Sequence, residues 1–165
     1  MTEAIADTGP ILHLHEIGRL DSLQTFQTLI VTNLVQQELV SREIDVNILA
    51  PIVSLRLESS PLPRPEVAET KLAQLQAADL EVLTRAGVQD WQGVVLTDDL
   101  ALRRVLEESG ATVTGTFGIL VRAYSRGVLS RQGLDTAVEA LLEDSSLHAS
   151  KAFKIVARRQ LRELR

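Results

Sequence analysis

Apolar residues fall in a few short unbroken runs, separated by longer stretches in which they recur every three or four positions. The runs are Ala4-Ile5-Ala6, Leu29-Ile30-Val31, Val94-Val95-Leu96 and a shorter one at Val113. Each is too short for a helix and, lacking polar alternation, fits a strand covered on both faces. Ile52, Val53, Leu55 and Leu57 predict an edge strand, ended by Pro61, Pro63 and Pro65. Between the runs the spacing is helical. Ile11, Leu12, Leu14 and Ile17 follow Thr8-Gly9-Pro10, where proline suits a first turn. Leu34, Val35 and Leu39 follow Asn33, a candidate cap. A helical region runs from Glu66 to Ala86, in two pieces meeting near Ala77-Ala78, and further helices carry Leu100 to Leu106 and Phe117 to Tyr124. From Leu134 onward the chain reads as helix. Strands alternating with helices predict an α/β fold with a central parallel sheet of about four to five strands. The expected organisation is one domain over residues 1–130, with residues 131–165 as its helical C-terminal extension.

Charge changes this picture in one respect. The net charge of −5 argues against a general nucleic-acid binder, since phosphate contacts call for a basic surface. The last fifteen residues, however, hold six of the 17 lysines and arginines and a single acid, a balance of +5. Eleven basic and twenty-one acidic residues precede them, so residues 1–150 carry −10. On a helix, Lys151, Lys154, Arg158, Arg162 and Arg165 share one side, with Phe153, Val156, Ala157, Leu161 and Leu164 on another. Such a stripe either faces water or supplies positive surface for RNA or an acidic partner. There are no cysteines, which excludes thiolate catalysis and cysteine-bound zinc. No apolar run suits a bilayer, and Glu3 stands where a signal peptide carries basic residues, so the expected compartment is the cytoplasm, away from membranes.

Two predicted strand ends carry carboxylates: Asp7 after the first, Asp98-Asp99 after Val94–Leu96. Ligands in open α/β sheets collect at the carboxyl ends of strands, where strand order reverses. An Asp in that place also commonly caps the following helix. Acids at both ends would repel unless an ion or a proton intervened, and oxygen-only ligands suit magnesium or manganese.

The chain resembles the PIN-domain nucleases. Asp7-Thr8-Gly9-Pro10-Ile11-Leu12 is similar to the family's opening Asp-Thr-x-x-Leu-Ile, and Gln37-Glu38-Leu39 to its Glu-Leu. Asp79, followed by Val82 and Ala86, resembles its Asp-x-x-Ile-x-x-x-Ala helix, and Thr97-Asp98-Asp99 its Thr-x-Asp. Leu96 to Leu100, with Gly115-Thr116-Phe117-Gly118 downstream, looks like a prokaryotic branch related to toxin–antitoxin nucleases. The likeness covers roughly residues 3–130 and departs from the pattern where Leu100-Ala101 replaces the usual Asp-Phe. It implies a ribonuclease cleaving single-stranded RNA, with Asp7, Glu38, Asp79 and Asp99 as catalytic carboxylates around Mg2+ or Mn2+. Asp98 is implied as a further metal ligand, or else it orients a ligand or caps its helix. An antitoxin protein and a homodimer are the implied partners.

Other residues are weighed more plainly. Thr8 and Thr116 are either hydrogen-bond donors to the site or ordinary turn residues, and His13 and His15 are expected to be solvated. Trp91, beside Gly93, either stacks on a base or packs on its own fold. A receiver-like domain would offer a lysine near the acids, but residues 1–150 contain only Lys71. A phosphatase of the Asp-x-Asp type would not follow Asp7 with Thr8-Gly9. The remaining alternative is a catalytically inactive PIN-like scaffold that binds a protein.

Overall fold

The computed structural model describes residues 2–59, 62–63 and 69–165. Five strands form one parallel sheet: β1 (Glu3–Ala6), β2 (Thr28–Val31), β3 (Ser54–Leu57), β4 (Val94–Leu96) and β5 (Thr112–Thr114). Their order is β3-β2-β1-β4-β5, with Ile5 beside Ile30 on one flank and Val95 on the other. The chain fills one half of the sheet outward from β1, then crosses back to β4 on its other side. The reversal between β1 and β4 leaves a crevice at their carboxyl ends. Ala4, Ile5 and Ala6 point alternately to opposite faces and all are fully buried, so helices cover both. The expected edge strand is shorter than its apolar run, because Ile52 and Val53 lie in the turn before Ser54.

Eight α-helices occur among the described residues. The first five are α1 (Thr8–Glu16), α2 (Asn33–Ser41), α3 (Glu69–Leu72), α4 (Ala77–Ala86) and α5 (Leu100–Glu108). The others are α6 (Thr116–Ser125), α7 (Arg131–Glu143) and α8 (Lys151–Glu163). The helical region expected from Glu66 is two pieces: the second starts at Ala77, the first is a single turn, and residues 66–68 lie outside the described ones.

Two expectations need correction. Asn33 does not cap α2. The amide of Leu34 instead donates to Glu81 Oε1 on α4, at 2.7 Å, so the cap comes from a distant helix. The helix expected from Leu134 to the end is interrupted over residues 144–150. Serine side chains there compete for backbone groups: Ser145 Oγ donates to the Leu141 carbonyl and accepts from the Leu147 amide, and Ser150 Oγ caps α8 through the Phe153 amide. Inside, Ile5, Ile11, Leu14, Ile30, Leu96 and Leu102 join Ile119, Leu134, Val138 and Leu141 in one buried cluster. The C-terminal helices therefore share the core of the sheet domain.

Candidate active site

Asp7 leaves β1 where the sheet reverses, its amide bonded to the Leu96 carbonyl of β4 at 2.9 Å. Its carboxylate turns back to cap α1: Oδ1 accepts from the Thr8 amide and Oδ2 from the Thr97 hydroxyl, both at 2.8 Å. Asp99 caps α5 through the Leu102 amide at 2.8 Å, and Asp79 accepts from the Gln76 amide at 2.9 Å in the first turn of α4. Glu38 comes from the middle of α2 and accepts from the Thr8 hydroxyl. Capping and lining the cleft are thus not alternatives here, for Asp7, Asp79 and Asp99 do both. All four line one cleft of about 390 Å³.

The electrostatics of this cleft are strained. Burial pushes Asp7 up to about 7, and the negative charges of Asp79 and Glu38 add to it, against the pull of the Thr97 and Thr8 hydrogen bonds. Burial also raises Asp79, with Asp99 and Glu38 contributing, against the Gln76 hydrogen bond. The carboxylates therefore sense one another across the cleft. Glu38, Asp79 and Asp99 each use one oxygen in a hydrogen bond within the protein. Among the described residues, no three Asp, Glu or His side chains are gathered closely enough to hold an ion as they stand. The chemistry of the set still fits one: oxygen donors only, mutually repelling, in a water-accessible cleft, as hard divalent cations that retain their own waters require.

Asp98 has a different place. It does not cap its own helix, since Asp99 does. It accepts from Thr116 twice, from the amide at 2.8 Å and the hydroxyl at 2.6 Å, and pairs with His13 Nδ1 at 2.7 Å. Burial alone would raise this carboxyl, but the hydrogen bonds from His13 and Thr116 outweigh it and hold it below the ordinary value. Gly115 permits the arrangement, for a Cβ there would come within 2.7 Å of Asp98 Oδ1. His13 is consequently buried and not solvated as expected, because α1 turns it inward toward Asp98; His15 is exposed.

Three features escaped sequence reasoning. Thr97, fully buried, supports Asp7 and also accepts from the Asp99 amide at 3.1 Å; its signal was the Thr-x-Asp motif itself. Arg42, which follows the last residue of α2, contributes a guanidinium to the lining of the cleft. The connection between α7 and α8 forms one wall through Ser146, Leu147 and His148, with Ser146 tied to Glu16 of α1 at 2.7 Å. No spacing pattern announces such a contact across 130 positions. Trp91 takes no part. Its indole nitrogen donates to Glu3 at the start of β1, the opposite end of the sheet, and its ring covers Gly93.

A family model, DUF3368, described as a PIN domain, matches residues 3–163. The chain belongs to the PIN-domain family. That match includes α7 and α8, so the C-terminal helices are part of the family's domain and extend the likeness past residue 130. PIN domains are generally metal-dependent nucleases. Among solved structures, a PilT N-terminus domain protein from the hyperthermophilic archaeon Sulfolobus solfataricus is similar. It aligns at a TM-score of 0.55 and 14% identity, over 73% of this chain and 92% of that one. At that identity the likeness speaks to the fold. No curated protein matches the chain in sequence.

Proposed function

We propose that this PIN domain is a Mg2+- or Mn2+-dependent endoribonuclease acting on single-stranded RNA, with Asp7, Glu38, Asp79 and Asp99 as its metal-holding carboxylates. The observation that carries this is Asp7, an acid buried at the sheet's reversal and raised to about 7 in a cleft shared with four other acids. A buried carboxyl perturbed by neighbouring acids in a cleft marks a candidate functional group, and a bound cation would relieve it at the pH where a proton no longer does. A metal bound there would supply a water activated for attack and neutralise charge on the scissile phosphate. Thr97 and Thr8 hold Asp7 and Glu38 in place, and Arg42 offers a cation to an entering phosphate. Asp98 acts one step back. With its oxygens engaged by His13 and Thr116, it fixes the loop that carries Asp99, although a direct ligand role was also expected of it.

The test is cleavage of an unstructured RNA with Mg2+ or Mn2+, against chelator and Asp7→Asn. Asn retains an acceptor for the Thr8 amide and a donor toward Thr97, so the fold should survive. Activity should fall by more than about 100-fold, the upper loss typical of groups one shell further from a metal. The rival, an inactive scaffold that binds a protein, draws on the carboxylates not being gathered into an ion cage. Metal-independent traces, or equal activity in Asp7→Asn, would support it.

The proposal extends to a toxin held by an antitoxin protein, acting as a homodimer in the cytoplasm. Its support is the motif around residues 96–100 and 115–118, with exposed apolar side chains such as Leu100 and Ile155. No helix among the described residues is long and apolar enough to cross a membrane. Sedimentation as an 18.1 kDa monomer at high concentration would remove the dimer.

A further inference from the structure

Beside the acidic cleft runs a second groove, of about 670 Å³, between α5, β5 and the first turns of α6 and α8. Its lining is mostly apolar: Leu100, Val113, Phe117, Leu147 and Phe153. Leu100 is 67% and Phe153 38% exposed, so the apolar surface is open to solvent. Phe153 is nonetheless held in place. Its ring meets Phe117 edge-on, with centroids 6.4 Å apart, and Ser150 caps its helix through its own amide. At the rim stands Arg103, whose ion pair with Glu107 is long, at 3.5 Å.

The groove is continuous with the cleft, for Asp98, Leu147 and His148 line both. A strand with one phosphate over the acids therefore brings an adjoining nucleoside to the groove. Its volume lies in the range of small-molecule sites, about 300–1,000 Å³. Proteins that bind single strands combine a track for the backbone with aromatic faces or edges that receive splayed bases. Resting on the nuclease reading above, we propose that this groove is a base subsite: it receives the unpaired nucleobase next to the phosphate in the acidic cleft. A base still paired in a duplex cannot reach it without leaving its stack. The site thus selects unpaired strands by apolar contact, which suits a body whose net charge cannot supply affinity.

The probe is an unstructured oligoribonucleotide cleaved in Mn2+, together with versions carrying one abasic position moved along the strand. In the wild-type protein, one position at a fixed distance from the cleaved bond should raise KM by about 5- to 150-fold when its base is missing, the range of base–aromatic stacking. In Phe153→Ala, KM for the intact strand should rise and the abasic penalty should vanish. Leu100→Ala, at an exposed first-turn position, should lower the penalty in part and keeps the test decisive should Phe153→Ala fail to fold. An abasic penalty absent from the wild type, or undiminished in both variants, overturns the subsite and leaves the nuclease assignment standing. No cleavage of any strand overturns both. If Phe153→Asp turns a dimer into a monomer without changing KM, a second copy covers the groove and the subsite is overturned.

Discussion

Two regions of this molecule treat the same functional group in opposite ways. On α7, Glu139 and Glu143 lie near the surface, and α8 answers them: Arg158 reaches both at 2.9 and 2.8 Å, and Lys154 reaches Glu143 at 3.1 Å. Hydrogen bonds from Arg158 hold both glutamates below their ordinary values, while the pair makes the Arg158 proton harder to remove. In the cleft, Asp7 and Asp79 are raised by burial, with acids where partners would be. Paired surface carboxylates stabilise the fold a little and do no chemistry. Buried repelling ones cost stability and wait for a cation. The signs of their pH dependence are opposite. The α7–α8 pairs contribute stability that is lost as pH falls, because their folded values are depressed. Asp7, raised in the folded state, favours folding below 3.8 and that advantage is lost as pH rises to about 7.

The largest effect should come from testing that difference directly. In chelator, the melting temperature of the wild type should fall between pH 4 and pH 8, by the equivalent of on the order of a few kcal/mol. Asp7→Asn should flatten this fall and melt higher than the wild type at pH 8. Adding millimolar Mn2+ should restore the wild type far more than the variant, since ligands of the native state stabilise by mass action. A metal-free protein whose stability rises through that range would break the comparison.

Next in size is Thr97→Val. It preserves volume but removes the hydroxyl that donates to Asp7 and accepts from the Asp99 amide. Without that donor Asp7 should protonate at still higher pH. Mn2+ affinity, measured by calorimetry at pH 7, should fall about 10- to 100-fold. The difference from the wild type should shrink at pH 9, where Asp7 is charged in both proteins. A loss independent of pH would assign Thr97 to packing.

How far these regions were legible beforehand follows from their physics. Ala4-Ile5-Ala6 announces a doubly covered strand because burial on both faces forbids polar residues, so the sheet could be read from short runs. Asp7 and Asp99 could be read because strand ends at a reversal are fixed by topology. Glu38 and Asp79 sit within helices, where an acid is ordinary, and came only through resemblance to known motifs. The His13–Asp98 pair spans 85 positions with no periodic cue, and a lone histidine on a helix gives no sign of which way it faces. The wall at residues 144–150 was hidden by composition. Ala, Leu and Glu on either side favour helix, and only the serines mark the break. Long-range polar contacts carry no sequence period, and these are what shape the cleft.

The smallest effect concerns the basic stripe of α8, whose residues suggested an RNA surface. Replacing Lys154, Arg158 and Arg162 with Ala removes three positive charges, and free cations in contact with phosphate would each contribute about one unit to the slope of log affinity against log salt. Lys154 and Arg158, however, already face Glu143 and Glu139 in the folded protein. Binding RNA there would exchange one anion for another and release few counterions. The slope between 50 and 200 mM salt should therefore change by about one at most, the share of Arg162. The variant should melt somewhat lower, because Glu139 and Glu143 lose their partners. It should leave Mn2+ binding unchanged, since no residue of the stripe lines the cleft. A slope flattened by two or more would mean that RNA pulls Lys154 and Arg158 away from their glutamates. The pairing on α7 would then be a resting state of a nucleic-acid surface, and the contrast between the two regions would fail at α7 and α8.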